Sequence, residues 1–134
     1  MNSETKYSPD KMLKRFTASF MSNAKWRALF KTVAAANLDI KRSEWKLVGD
    51  DYIAVHRMPM EWDIDETRFS DGAFQPFEYK YIEWIFIPRS YKPYPNVGLT
   101  INQDVDGLVR ALENTKRKFP LEIDERGVTI SGYK

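Results

Sequence analysis

The chain contains no cysteine. That absence excludes disulfide bridges, thiolate zinc sites and cysteine nucleophiles, and it fits a reducing compartment. Histidine is nearly absent as well, with His56 alone. No run approaches the roughly 20 apolar residues that span a bilayer, and the first residues, MNSETKYSPDKMLKRF, lack the apolar core of a signal peptide. The expected location is therefore cytoplasmic. Also missing are a glycine-rich phosphate loop, a Gly-x-Ser-x-Gly elbow and a phosphate-loop lysine, so nucleotide-dependent chemistry has no foothold. No internal repeat or low-complexity tract interrupts the chain.

What is present is an ordinary globular balance with an aromatic excess. The 134 residues are 43% hydrophobic, 30% charged and 14% aromatic. A chain of this size buries about two thirds of its unfolded surface and needs no staple. The net charge of +2 is too small to imply a nucleic-acid partner by itself. Its layout is uneven. Lys11, Lys14, Arg15, Lys25, Arg27, Lys31, Lys41 and Arg42 make the first third basic, while Glu61, Asp63, Asp65, Glu66 and Asp71 make the middle acidic. Such a dipole suits protein recognition better than a nucleic-acid stripe.

Local patterns predict the elements in turn. Residues 1–7 are polar and expected to be disordered. Ser8-Pro9-Asp10 reads as a helix start, and Met12, Leu13, Phe16 and Phe20 extend a first helix to about Phe20. Ser22-Asn23 caps a second, whose Trp26, Leu29, Phe30, Val33 and Ala34 form one apolar stripe and which Asn37 can close. Trp45, Leu47, Tyr52, Ile53 and Val55 suit a hairpin turning at Gly49-Asp50-Asp51. Residues 58–76 read as a long acidic loop lying against the body through Met60, Trp62, Ile64, Phe69 and Phe74. Phe77–Pro88 reads as one buried strand centred on Trp84, entering from an exposed edge and ending in the core. A further loop covers 89–97, and Leu99 and Ile101 form a short strand. Asn102 or Asp104 caps a third helix carrying Val105, Leu108, Val109, Leu112 and Phe119, with Lys116, Arg117 and Lys118 in its last turn and Pro120 ending it. A closing hairpin joins 121–123 to 128–130. The expected class is α+β: a single domain over 1–134, with a mainly antiparallel sheet of about five or six strands, two N-terminal helices and one later helix.

Few residues point to chemistry. His56, beside Arg57 and upstream of acids, could act as a general base or metal ligand, but a lone histidine more often bonds backbone at a strand end. The Asp63-x-Asp65 spacing is like the start of a calcium loop, yet the downstream glycine and bidentate glutamate are missing, so a solvated acidic loop is the plainer reading. Trp26 and Trp84 lie on apolar faces and read as core. Trp62, flanked by acids that oppose a polyanion, reads as an anchor for a protein interface. Glu83, between Ile82 and Trp84, needs a partner if buried and is assigned to an Arg or Lys from a helix. The candidate partner-binding residues are thus Glu61, Trp62, Asp63, Asp65, Glu66 and Asp71. No catalytic residue, metal site or cofactor is expected.

Two segments carry a resemblance. Met21-Ser22-Asn23-Ala24-Lys25-Trp26-Arg27 and Ile82-Glu83-Trp84-Ile85-Phe86-Ile87-Pro88 resemble signatures of a family of small bacterial proteins of unknown function, some encoded near polymorphic toxins. The likeness covers about the first two thirds of the chain. It implies no catalytic residues. It does imply a class: a protein-binding module, such as an immunity protein that covers a toxin domain, its acidic loop competing with a polyanionic substrate at a basic cleft. The alternatives are a nucleic-acid-associated protein using the basic N-terminal helices, or a small enzyme centred on His56.

Overall fold

The computed structural model describes residues 9–65, 67–69 and 77–134. The expected disorder of residues 1–7, the cap at Ser8, the packing of Phe74, and the sites Glu66 and Asp71 lie outside the described residues. What is described is an α+β fold around one core. Strands β1 (Ser43–Leu47), β2 (Ile53–His56), β5 (Ile82–Pro88), β8 (Leu121–Ile123) and β9 (Gly127–Ser131) form a five-stranded sheet. Their order is β2-β1-β5-β9-β8, and every neighbouring pair is antiparallel. Two short ladders flank it: β3 (Arg68–Phe69) with β4 (Phe77–Glu78), and β6 (Ser90–Tyr91) with β7 (Ile101–Asn102). Helices α2 (Asn23–Ala36) and α3 (Val105–Asn114) pack against one face of the sheet, while the short α1 (Pro9–Met12) contributes nothing to the core.

Helix α2 forms where the sequence signals it. The Ser22 hydroxyl accepts from the Lys25 N–H, and Asn37 closes the helix at φ 54°. Its stripe delivers Trp26 and Phe30 to the sheet, where the rings stack as a column. Trp26 to Phe30 is 5.6 Å between centroids and Phe30 to Trp45 is 5.7 Å. Tyr79 leans on Phe30 at 5.6 Å. All four are at most 2% exposed. A buried indole N–H needs an acceptor. Trp45 Nε1 donates to Ser43 Oγ at 2.7 Å, and that hydroxyl donates onward to the His56 carbonyl at 2.6 Å. At Gly132 a Cβ would collide with the Ile82 carbonyl oxygen and press on Trp26, so only glycine lets the chain pass this column.

Four expectations are corrected. The first helix stops early: α1 and a 3-10 turn at Leu13–Arg15 end at Phe16, which is extended at ψ 143°. Tertiary pairing overrides the local period, because residues 17–20 exchange backbone bonds with the C-terminus (Thr17 N and Ala18 N to Lys134 O, Lys134 N to Ala18 O, Phe20 N to Gly132 O) and Phe16 stacks on Tyr133 at 5.2 Å. The strand expected over Phe77–Pro88 is broken by a 3-10 turn at Tyr79–Tyr81, which drops Tyr79 into the core. Trp84 is not core. It stands half-buried on the sheet face away from the helices, because Ile82, Ile85 and Ile87 take the inner face. The third helix ends at Asn114: Thr115 Oγ1 donates to the Leu112 carbonyl and Lys116 turns left-handed at φ 63°. Lys116, Arg117 and Lys118 therefore follow the helix instead of completing it.

One polar side chain ties the pieces together. Gln103 Oε1 accepts from the Lys41 and Arg42 N–H groups at 2.9 Å each, and its Nε2 donates to the carbonyls of Arg42 at 3.0 Å and Pro88 at 2.9 Å. It thus joins the entry to β1, the end of β5 and the approach to α3. Gln103→Ala strands four backbone groups, so we expect a loss of about 2 kcal/mol. Urea denaturation should show a lowered midpoint with an unchanged slope.

Candidate functional site

The acidic segment begins with a turn, not a featureless loop. Glu61–Asp63 forms one 3-10 turn. Its start is fixed by Asp63, which is 4% exposed. Asp63 Oδ2 accepts from the Met60 N–H at 2.9 Å and from Arg57 Nη1 at 3.2 Å. The carboxylate caps the turn it belongs to and is compensated by a cation from the segment after β2. Further along, Asp65 N–H bonds the Arg68 carbonyl at 2.8 Å, and its own carbonyl accepts from Tyr79 Oη at 2.7 Å.

The predicted site residues are thereby divided. Asp63 faces inward and serves the structure, so it is withdrawn from the proposed acidic surface. Glu61 and Asp65 are exposed. Trp62 is 78% exposed, the highest value among the large hydrophobics of the described residues, and Met60, two positions before it, is 40% exposed. A wide apolar ring is thus held in water by a turn whose geometry a buried carboxylate fixes. Arg57 and Met60 also border a small depression of about 80 Å³, lined too by Val33, Leu38, Asp39 and Lys41.

His56 is buried at 9% exposure and meets Trp45 edge-on at 6.3 Å. It belongs to the core, and it lines neither the depression beside Arg57 nor the one on the outer sheet face. Among the described residues, no group of three or more His, Asp or Glu side chains is placed to hold a metal ion. Glu83 pairs with Lys46 at 3.5 Å, a neighbour across the sheet and not a helix residue.

The outer sheet face is a second surface that the sequence did not announce. Trp84 and Phe86 stand two residues apart on β5, with Glu44, Arg126 and Thr129 around a shallow depression of about 290 Å³. Arg126 lies over the Phe86 ring at 5.5 Å. Cations and anions balance here, with Arg42 on Glu44 at 3.4 Å and Lys46 on Glu83. The signal that reveals this face is the two-residue period of β5, followed through Ile85 and Ile87.

Burial of Tyr79, reinforced by the charge of Asp65, pushes its phenol from 10.0 up to about 12. The neutral form is therefore favoured in the fold. The associated stability is complete below pH 10 and is lost as pH rises from 10 to 12. Tyr79→Phe should flatten the fall of roughly 2–3 kcal/mol across that window in denaturation titrations. Removing the cap has a different signature. Asp63→Ala should cost about 1–3 kcal/mol, while Asp65→Ala stays within about 0.5 kcal/mol, both read from thermal or urea unfolding. Comparison with protein-family models, with curated proteins and with solved structures finds no match for this chain.

Proposed function

We propose that the protein is a non-enzymatic binding module for another protein, and that the Trp62 turn is its anchor. The observation that carries this reading is the pairing of opposites at one turn: Trp62 at 78% exposure and Asp63 at 4%. An exposed tryptophan on a mobile loop would have to be ordered on binding, at a cost in side-chain and loop entropy. Here Asp63 and Arg57 restrain the turn beforehand. Tryptophan is also the residue most enriched among those that dominate interface energetics. Glu61 and Asp65 flank the ring and would steer it toward a basic surface.

An immunity protein that covers the basic cleft of a toxin domain is the fullest form of this reading. It is supported by the exposed acids beside the anchor and by the resemblance of the Met21–Arg27 and Ile82–Pro88 segments to a family of small bacterial proteins, some of them encoded near toxins. It would act in the cytoplasm, where such a toxin would otherwise meet its substrate.

The test is differential. A protein retained from the source cell by the wild-type chain should be bound about 30-fold more weakly by Trp62→Ala, roughly a 2 kcal/mol anchor. Glu61→Gln with Asp65→Asn should slow association by a few-fold at low salt and little at high salt. Lys118→Ala, on the segment after α3, should change nothing. Equal affinity of wild type and Trp62→Ala would overturn the anchor. A partner whose catalytic activity is untouched by saturating wild-type chain would remove the immunity reading.

A further inference from the structure

Three of the large exposed hydrophobics fall within six positions of one loop. Strands β6 and β7 pair as a short ladder, Ser90 with Asn102 and Tyr91 with Ile101. The chain between them carries Tyr94 at 64% exposure, Val97 at 53% and Leu99 at 52%. This loop has internal order. Val97 N–H donates to the Tyr94 carbonyl at 3.1 Å, closing a turn with Pro95 and Asn96 at its central positions. Proline suits the first of these because its φ is already set. At the base, Gln103 N–H donates to the Arg89 carbonyl at 2.7 Å, and the Gln103 side chain ties the same end to Pro88 and Arg42. Residues 94–100 are all exposed, and a Cβ at Gly98 would meet no heavy atom within 4 Å beyond its chain neighbours, so the tip stands clear of the body.

Two features say what such a tip would enter. The first is its backbone. A peptide group taken into an apolar medium is costly unless its N–H is satisfied. Pro93 and Pro95 have no N–H, and that of Val97 is already bonded within the turn. Most of the stretch from Pro93 to Val97 therefore asks no hydrogen bond of its surroundings, which suits a hydrocarbon boundary that offers none. The second feature is charge. From Arg89 to Gln103 the chain carries no acid. Arg89 is held by Asp106 at 2.7 Å, and Lys92, two positions before Tyr94, is exposed. A tyrosine with aliphatic side chains and a flanking lysine is the composition of a segment that lies at the headgroup level of a bilayer. Among the described residues no helix is long and apolar enough to cross a membrane, and a contact of this kind needs none.

We propose that the loop over residues 92–100 is a membrane-contact tip that seats Tyr94, Val97 and Leu99 between the headgroups and upper acyl chains of an anionic bilayer surface. It lies on a different segment from the Trp62 turn, and it stands or falls independently of the partner reading above. Three side chains insert less apolar surface than a myristoyl chain, whose association constant is about 10⁴ M⁻¹. Half of the protein is accordingly expected on vesicles at lipid concentrations on the order of 1 mM. Lys92 near the surface should favour anionic over zwitterionic lipid about fivefold.

Co-sedimentation with sucrose-loaded vesicles tests it, using phosphatidylcholine alone and phosphatidylcholine mixed with phosphatidylglycerol in equal parts. The wild-type chain should pellet with the mixed vesicles at low salt. Leu99→Asp and Val97→Asp each put a carboxylate on the inserted face at an exposed position, and each should weaken association about tenfold. Lys92→Gln should remove the preference for phosphatidylglycerol. Trp62→Ala should leave association unchanged, with circular dichroism checking that each variant is folded. The absence of native cysteine makes a second readout clean. An environment-sensitive fluorophore on Val97→Cys should shift to the blue when mixed vesicles are added, and the same fluorophore on Lys118→Cys should not. A wild-type chain that stays in the supernatant at about 10 mM lipid, far above the expected range, would overturn the proposal. So would association that Leu99→Asp and Val97→Asp leave intact or that Trp62→Ala abolishes, or a blue shift larger in the Lys118→Cys variant than in the Val97→Cys variant.

Discussion

The stack of Trp26, Phe30 and Trp45 is the contact on which the rest of the molecule depends. It fastens α2 to the sheet, and Tyr79 closes it from the side of the 3-10 turn. Each ring buries a large area, and offset stacking adds about a kcal/mol per pair beyond that area. Consequences run outward from it. Gly132 has no side chain because Trp26 and the Ile82 backbone leave no room. Ser43 is buried because the Trp45 indole needs an acceptor there. The chain breaks after Glu78 because Tyr79 is drawn inward while its hydroxyl remains tied to the Asp65 carbonyl. That tie connects the core to the acidic segment, so the surface bearing Trp62 is held from both its ends: by Asp63 on Arg57 and by Asp65 on Tyr79.

How much of this is legible in the sequence varies with the range of the forces involved. Helix α2 is readable at both ends, since a serine cap, a 3.6-residue stripe and a left-handed asparagine are all local signals. The Gly49 and 124–127 turns are readable for the same reason. The early end of the first helix is not, because its cause is Lys134, more than a hundred residues away. Gln103 is invisible as well. Nothing in its neighbours announces that four backbone groups, from the entry to β1 and the end of β5, converge on one amide. In the candidate site, the exposure of Trp62 follows from its acidic company. The inward turn of Asp63 does not, because five acids read alike until one of them finds Arg57.

Trp84 shows how a pattern can mislead while being correctly seen. Ile82-Glu83-Trp84-Ile85-Phe86-Ile87 is apolar at almost every position, which reads as burial on both faces. The sheet is antiparallel, however, and its helices occupy one face. Ile82, Ile85 and Ile87 fill that side, leaving Trp84 and Phe86 on the other, with Arg126 across the Phe86 ring. Continuous apolarity in a central strand can therefore mean a buried face backed by a second, partly wet one. The ion pairs of Arg42 with Glu44 and Lys46 with Glu83 keep that outer face close to neutral.

The outer face of the sheet is closely balanced in charge, and β2 lies at its edge. The strand closes the hairpin that begins at β1, and the Arg57 that follows it is the cation that fixes the Trp62 turn. Five residues separate the end of this edge strand from Trp62, the most exposed aromatic ring among the described residues. Restraint is unequal between them: Trp62 sits on a turn held by a buried carboxylate, whereas the outer side of β2 presents alternating Ile53 and Val55 to water. The physical division of labour follows: the aromatic column makes the domain stable, and through Tyr79 it braces the segment that holds Trp62 in water.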